Sequence, residues 1–403
     1  MRADRSWRTG GRPEKGQIEA GGRQTAKKSE DEEEKDRGIA AVLSFSKNLC
    51  YNQDMIFKEN NDEIISAFPG ILRPYFDGLR VGVFDIETTG LSPECSAFIL
   101  GGIGRSVSGG FPEGPFRVEQ FFAESRHEEE HALERCLAAL SGLDAVVTYN
   151  GTRFDLPFIR YRAAQYGLDA VYDLPHNLDL YRILNKFSDL RKILPNLKQK
   201  TVENFFGLWN DRSDRIDGGE SVELYERWEI RREPEVLNKI LLHNGDDVLQ
   251  LARLVPIVRK AEVHRAMANL GFPVGDLSVK SIRIEASGGS SSRVGASSAG
   301  GRLIVSGVQR RAPRSYYSYA SFERDCDIEF DGGRSEFFVS VPLRREGELL
   351  FLDLEHLLPE ISELAESPFY ASGFLVVRQG AEYQYAEINQ FVRLFLKRIL
   401  EVL

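Results

Sequence analysis

The sequence is poor in the features that mark secreted, membrane-spanning or strongly basic proteins. Its 403 residues include four cysteines, Cys50, Cys95, Cys136 and Cys326, without a C-x-x-C pair, so neither a disulfide framework nor a zinc ribbon is indicated. No apolar run is long enough to cross a bilayer, and the polar N-terminus lacks the apolar core of a signal peptide. We therefore expect reduced thiols and a cytoplasmic protein.

Positive charge is also scarce, since the formal net charge is −9. The chain as a whole is therefore not a non-specific binder of polyanions. A polyanionic substrate would have to be held by local cationic patches or by bound metal. The apolar fraction of 42% and the charged fraction of 28% are ordinary for a globular protein, and the length predicts two or three domains.

Composition and hydrophobic period divide the chain into four stretches. Residues 1–37, rich in Gly, Arg, Lys and Glu, predict a disordered tail, and residues 38–78 a lead-in segment. Residues 79–262 predict an α/β domain, in which three antiparallel strands precede alternating helices and strands, so that a mixed sheet is flanked by helices. Residues 271–403 predict a mainly antiparallel α+β domain of unknown role, with a Gly/Ser-rich linker at GGSSSRVGASSAGG.

The stretch VFDIETTGL, residues 83–91, carries two acids on a strand that otherwise looks ready for burial. Alternate residues of a strand share a face, so Asp85 and Glu87 lie side by side. Two such carboxylates repel each other, and burying them unpaired is costly. The pair therefore indicates a bound cation, the alternative being a solvated strand edge.

Two further segments carry acids at places where elements meet. In TYNGTRFDLPFIRYR, residues 148–162, Asn150 lies in a turn and Asp155 at the start of a predicted helix, where it is either a cap or a site residue. In LLHNGDDVLQLARL, residues 241–254, His243 and Asp247 are four apart and stack on one helix face. That pair is a metal site, an acid/base pair or a simple ion pair.

In this order, FDIETTGL, YNGTRFDLPF and HNGDDV resemble the motifs of the DEDD superfamily of 3′–5′ exonucleases, which have an RNase H-like fold. The match is closest to the bacterial YprB-like group of RNase H-like domains, and NLDLYRIL and LPNLKQKTVENFFGL also fit that group. The resemblance covers about residues 79–259. It implies a metal-dependent 3′–5′ exonuclease that acts on single-stranded DNA or RNA, and the alternative is a non-catalytic scaffold that binds nucleic acid.

Carried over to this sequence, the resemblance implies four ligands for two Mg²⁺ or Mn²⁺ ions, namely Asp85, Glu87, Asp155 and Asp247. His243 would be the general base or would orient the attacking water. Members with histidine usually place it five residues before the last aspartate, whereas here the spacing is four, and Asp246 is an alternative last ligand. A carboxylate cluster of this kind suits Mg²⁺ or Mn²⁺ better than Zn²⁺.

The turn after the first acids offers candidate substrate contacts. Backbone amides at Thr88, Thr89 and Gly90 could hold a terminal nucleotide, Leu91 could wedge against its base, and Asn150 could orient the scissile end. The alternative for each is an ordinary turn residue.

Two other patterns compete with this interpretation. HEEEH, residues 127–131, matches the zinc-peptidase pattern H-E-x-x-H, but Ser125 and Glu128 form a capping-box pattern that favours a solvated first helical turn. QRRAPRSYYSYASF, residues 309–322, mixes cations with aromatics and is either a surface for single-stranded nucleic acid or a plain hairpin.

Overall fold

The computed structural model describes the chain from residue 49 onwards, with short gaps. The described ranges are 49–52, 55–65, 68–107, 110–111, 114–169, 172–208, 218–285, 299–319, 326–355, 357–358 and 362–403. The predicted tail and most of the predicted Gly/Ser linker lie outside them. Contacts divide the chain into Met1–Leu49 and Cys50–Leu403, and almost all described residues belong to the second unit.

A mixed sheet forms the centre of the N-terminal half. Its strands are β1 (Leu49–Asn52), β2 (Met55–Ile65), β3 (Val81–Thr88), β4 (Phe98–Ser106), β5 (Gly114–Phe122), β6 (Ala145–Thr148) and β7 (His176–Asp179). Their spatial order is β1-β2-β5-β4-β3-β6-β7. β3 pairs antiparallel with β4 and parallel with β6, and β6 pairs parallel with β7. The predicted mixed sheet is confirmed, and β2, from the predicted lead-in, joins it by antiparallel pairing with β5.

Helices cover both faces of this sheet. They are α1 (Arg73–Phe76), α2 (Glu129–Ser141), α3 (Asp155–Gln165), α4 (Leu180–Phe187), α5 (Leu190–Ile193), α6 (Gln199–Phe205), α7 (Gly218–Arg231), α8 (Pro234–Leu254) and α9 (Val263–Leu270). Phe84 and Ile86 pack with α2 and α3, whereas Val83 packs in a second cluster with α4, α8 and α9. The alternation along β3 therefore turns its acids toward the α8 side of the sheet.

Glycines in β4 allow α8 to lie unusually close to the sheet. A Cβ atom added at Gly102 would lie 2.3 Å from Asn244 Oδ1, and one at Gly104 would lie 2.7 Å from Val248 Cγ1. Any larger residue at these positions would push the helix away from the neighbouring β3. Glycine inside a strand often marks such a close approach.

Among the described residues of the C-terminal half, the structure has a ten-stranded sheet and two helices. Its elements are β8 (Pro273–Val274), β9 (Leu277–Glu285), β10 (Ala299–Gln309), β11 (Tyr316–Ser318), β12 (Asp327–Asp331), β13 (Glu336–Glu346), β14 (Leu349–Asp353), α10 (Ser362–Ala365), β15 (Tyr370–Ala371), β16 (Phe374–Gln379), β17 (Glu382–Tyr383) and α11 (Tyr385–Val402). The pairings are antiparallel, so the predicted antiparallel α+β arrangement is confirmed. None of the described helices has the length and apolar character needed to span a bilayer.

Arg310 fastens the C-terminal sheet to the edge of the first sheet. Its side chain, 4% exposed, lies 3.0 Å from Asp173 Oδ2 and donates to the carbonyl of Asp144 at 2.6 Å. Nearby, His176 Nδ1 of β7 lies 2.6 Å from Ser278 Oγ of β9. A cation of the stretch 309–322 is therefore used for internal packing. Because such contacts join residues 79–262 to residues 271–403, the domain boundary between them stays a prediction.

Candidate active site

The strand at the centre of the first sheet carries the two acids that the sequence singled out. β3 lies between β4 and β6, and Asp85 and Glu87 are two positions apart on it. Glu87 is 7% exposed, while Asp85 is only partly exposed. Neither acid is on a solvated strand edge, so that alternative is wrong.

Helix α8 brings a histidine and a third carboxylate to this pair. His243 Nε2 lies 3.5 Å from Glu87 Oε1 and 3.7 Å from Asp247 Oδ2. One ligand atom from each of these three residues lies within 4.8 Å of the others. Of the two candidates for the last ligand, Asp247 belongs to this cluster of atoms, and Asp246 is its buried neighbour.

Asp155 joins the site from the start of α3. Phe154 occupies the N-cap position of this helix, so the interpretation of Asp155 as a cap is wrong. Instead, the backbone N–H of Ile86, which lies between the two acids of β3, favours the charged form of its carboxylate and so lowers its pKa. Asp155 is 4% exposed, and the strand-to-helix step thus places it beside β3.

Burial, together with neighbouring negative charge, raises the pKa of Asp85 and of Asp155. Burial raises the pKa of Asp85 well above its usual range, and the charges of Asp247, Asp155 and Glu87 raise it further, while a hydrogen bond from Asn244 opposes the shift. Burial and the nearby charges of Asp179 and Glu87 likewise raise the pKa of Asp155 to about 7. A cation bound among these oxygens would relieve the repulsion and stabilise the ionised forms.

The donor set fits a hard divalent cation. Asp85, Glu87, Asp155 and Asp247 offer carboxylate oxygens, which Mg²⁺ and Mn²⁺ prefer. The cluster of ligand atoms within 4.8 Å contains Glu87 and Asp247 but neither Asp85 nor Asp155. The charges of Asp247, Asp155 and Glu87 nevertheless all raise the pKa of Asp85.

Sequence reasoning missed two side chains that hold Asp85 in place. Asn244 Nδ2 donates to Asp85 Oδ2 at 3.2 Å, and Asn244 Oδ1 accepts from Gln120 Nε2 at 3.0 Å. Gln120 also donates to the carbonyl of Leu241 at 2.9 Å. The position of Asn244 inside HNGDDV, together with the glycines of β4, could have indicated its role. Nothing in the sequence around Gln120 indicates a role for that residue.

A serine of α7 holds the second β3 acid and was also missed. Ser221 Oγ donates to Glu87 Oε2 at 3.0 Å, and its side chain is 1% exposed. Farther along α7, Tyr225 donates from its hydroxyl to the carbonyl of Ala123 at 3.0 Å, which fastens the helix to the end of β5. No local pattern distinguished Ser221, because its partner lies 134 residues away.

The turn after β3, predicted to contact substrate, is ordered by its own hydrogen bonds. Thr88 Oγ1 donates to the carbonyl of Gly90 at 2.7 Å, and Thr89 Oγ1 accepts from the backbone of Ala97 at 2.8 Å. Leu91 projects from this turn with 84% of its surface exposed. Their contact with a nucleotide stays a prediction.

Asn150 lies in a strained turn between β6 and α3. Its φ angle is 67°, and its backbone N–H donates to Asp179 Oδ1 at 2.9 Å. The other oxygen of Asp179 accepts from the backbone of Thr152 at 3.1 Å. Asp179 therefore fixes the loop that leads into Asp155, while the predicted role of Asn150 toward the scissile end stays a prediction.

A buried glutamate from HEEEH connects the turn after β3 to α3. Glu129 Oε1 accepts from the backbone of Phe98 at 2.7 Å and from Arg162 Nε at 2.7 Å, and Tyr166 donates to Oε2 at 2.8 Å. Arg162 also donates to the carbonyl of Pro93 at 3.3 Å. Glu129 is 1% exposed, so the interpretation of this segment as a solvated turn is wrong at Glu129.

The two histidines of HEEEH lie apart from the acidic cluster. His127 and His131 are exposed, and the three-residue group of possible metal ligands found in the described part of the chain is that of Glu87, His243 and Asp247. Ser125 makes no side-chain capping bond, so the predicted capping box is wrong as well.

The sheet order and a family model agree on the class of this domain. Residues 83–258 match the model of the RNase_H superfamily. With the mixed sheet and its flanking helices, this part of the chain is an RNase H-like domain.

Solved structures that resemble the chain are distant. The family B DNA polymerase from the hyperthermophilic archaeon Pyrobaculum calidifontis is 24% identical with a TM-score of 0.34, over 46% of this chain and 26% of that one. An exonuclease I structure is 14% identical with a TM-score of 0.29, over 57% of this chain and 55% of that one. A zinc-bound E. coli ExoI–ssDNA complex is 13% identical with a TM-score of 0.25, over 80% of this chain and 70% of that one. No curated protein matches the chain.

Proposed function

We propose that the protein is a metal-dependent 3′–5′ exonuclease that hydrolyses phosphodiester bonds at the 3′ end of single-stranded nucleic acid. One observation carries this proposal: an acid of β3 and an acid of α8 meet a histidine at one place on an RNase H-like sheet. Glu87, His243 and Asp247 present ligand atoms within 4.8 Å of one another, and the charges of Asp155 and Asp247 both act on Asp85. The 3′ polarity rests on the resemblance of the three motifs to DEDD exonucleases.

Each residue of the proposed site has a distinct task. Two Mg²⁺ or Mn²⁺ ions, held by Asp85, Glu87, Asp155 and Asp247, would supply an activated water and stabilise charge on the leaving oxygen. His243 lies 3.5 Å from Glu87 and 3.7 Å from Asp247. It is our candidate for taking the proton of the attacking water, because the two carboxylates stabilise the imidazolium that results.

The residues around the acids position them and the substrate. Asn244 donates to Asp85 and Ser221 donates to Glu87, and these hydrogen bonds would orient both carboxylates toward a bound cation. We assign the backbone of Thr88, Thr89 and Gly90 to the terminal nucleotide and Leu91 to its base. Asn150 would orient the scissile end from the opposite loop.

Labelled oligonucleotides test the reaction class directly. Single- and double-stranded DNA and RNA with a 5′ label are incubated with Mn²⁺ or with EDTA. We expect a ladder of products that shortens from the 3′ end of the single strands and requires the metal. Tight binding without metal-dependent shortening would favour the non-catalytic scaffold instead.

Two adjacent aspartates of α8 provide a matched pair for the assignment of the site. Asp247→Asn removes a proposed ligand and is expected to lower the rate by roughly two orders of magnitude or more. Asp246→Asn, at the neighbouring buried position, is expected to retain the rate within a few-fold if the variant folds, which circular dichroism checks. The reverse pattern would contradict the proposed ligand set.

A further inference from the structure

A short segment of the RNase H-like domain is strongly basic although the chain is acidic. Residues 182–200 contain six cations and one acid, Asp189, which gives a segment charge of six minus one, or +5, in a chain of net charge −9. We call these six cations the basic rim. They are Arg182, Lys186, Arg191, Lys192, Lys198 and Lys200.

Hydrogen bonds fasten both ends of the basic rim beside the candidate active site. At its start, the backbone of Arg182 donates to Asp179 Oδ1 at 3.2 Å, and the same oxygen accepts from the backbone of Asn150. At its end, Gln199 Nε2 donates to the carbonyl of Asp247 at 3.3 Å. The segment therefore runs between the loop before α3 and the helix that carries a proposed ligand.

The middle of the basic rim points into solvent. Lys186, Arg191, Lys192 and Lys198 are all exposed, and Ile193 among them is 63% exposed. Lys192 pairs with the only acid of the segment, Asp189. Cations that outnumber local acids in this way create a positive potential that favours a polyanion.

The C-terminal sheet adds a further cation to the same edge. Lys280 lies on β9, which meets the edge strand β7 at the His176–Ser278 contact. Lys280 is exposed at its surface, while partial burial and repulsion by Arg160, Arg310 and Arg182 lower its pKa to about 8 against the attraction of Asp173. Like charges are therefore crowded at this edge, and a bound anion would relieve their repulsion.

We propose that the basic rim, extended by Lys280, binds the backbone phosphates of the single strand whose end lies in the candidate active site. That the ligand is a single-stranded nucleic acid rests on the proposed function. The alternatives, an acidic peptide or no ligand, do not explain why the basic segment is joined to the loop of Asn150 and to Asp247.

The salt dependence of binding provides the test. A fluorescently labelled single-stranded oligonucleotide is titrated with the full chain at several KCl concentrations, with Ca²⁺ replacing Mg²⁺ so that affinity is measured without relying on turnover. For single strands each phosphate contact contributes about −0.7 to the slope of log affinity against log salt. Lys186→Gln/Lys198→Gln should therefore make this slope less negative by about 1.4, because both side chains are exposed on the rim.

A matched control removes the same charge elsewhere. Lys397→Gln/Arg398→Gln changes two exposed cations of α11 and should leave the slope unchanged. Equal slopes for the wild type and the rim variant, equal losses in both variants, or a wild type that does not bind the strand would each overturn the proposal. A wild type that binds with the expected slope but never shortens the strand in Mn²⁺ would leave the rim intact and refute the exonuclease.

Discussion

Replacing Asp155 by asparagine is expected to stabilise the metal-free protein at alkaline pH while it abolishes hydrolysis. Asp155 is 4% exposed and lies among other acids. Burial and the charges of Asp179 and Glu87 raise its pKa from the ordinary value of 3.8 to about 7. Ionising this group in the folded protein therefore costs free energy, and a bound cation would offset that cost. Asparagine keeps the size of the side chain but carries no charge.

The expected magnitude follows from the pKa shift. A rise from 3.8 to about 7 corresponds to about 4 kcal/mol at about 1.36 kcal/mol per unit. Because the folded pKa lies above the unfolded one, the folded state binds more protons between these values, and the free energy of unfolding falls as pH rises through that window. We expect Asp155→Asn to be more stable than the wild type by roughly 1–4 kcal/mol at about pH 8 and equally stable at about pH 4.

Denaturant unfolding in EDTA at two pH values measures this difference. Addition of Mn²⁺ should stabilise the wild type strongly at the higher pH and the variant much less. Asp189→Asn is the control, since Asp189 is exposed and pairs with Lys192, so its loss should change the free energy of unfolding little at either pH. The reasoning fails if Asp155→Asn is less stable than the wild type at the higher pH in EDTA.

Three further substitutions test the surroundings of the site. Gly102→Ala should lower the free energy of unfolding by about 1–3 kcal/mol and weaken the Mn²⁺ binding measured by calorimetry, because its Cβ would lie 2.3 Å from Asn244 Oδ1 of α8. The control Gly245→Ala should change neither quantity, because its Cβ would lie 3.7 Å from the nearest atom. Glu129→Gln should raise the KM for single strands and speed hydrogen exchange in the turn after β3 at nearly constant kcat, while the exposed neighbour variant Glu130→Gln should match the wild type. Oligonucleotide affinity should fall as pH rises through about 8, where Lys280 loses its charge, and Lys280→Gln should flatten this pH profile; an unchanged profile in that variant would exclude Lys280 from binding.

The pattern of apolar and charged residues along the chain predicted correctly the strand and the helix that carry most of the candidate site. The short apolar run in VGVFDIET predicts a strand with the bounds Val81–Thr88 that the structure has, because β-branched and aromatic residues favour strands that are buried on both faces. The four-residue spacing of His243 and Asp247 likewise places both on one face of α8. These features depend on neighbours in the chain, which the sequence displays directly.

The burial of individual polar residues could not be predicted from the sequence around them. Glu129 lies in a run of charged residues, yet it is 1% exposed, because its partners Arg162 and Tyr166 come from α3. Ser221 and Gln120 have ordinary surroundings in the chain, and only packing brings them to Glu87 and Asn244.

The sequence by itself determined which side chains could do chemistry with phosphodiesters and which elements would carry them, since charge, spacing and period are properties of the chain. Only the tertiary structure decided that Asp155 lies against β3 instead of capping α3, that Asp247 and not Asp246 joins the cluster of ligand atoms, and that the glycines of β4 let α8 come close enough to bring it there. The physical reason is that an electrostatic site depends on distances of a few ångströms between residues far apart in sequence, and close packing sets those distances.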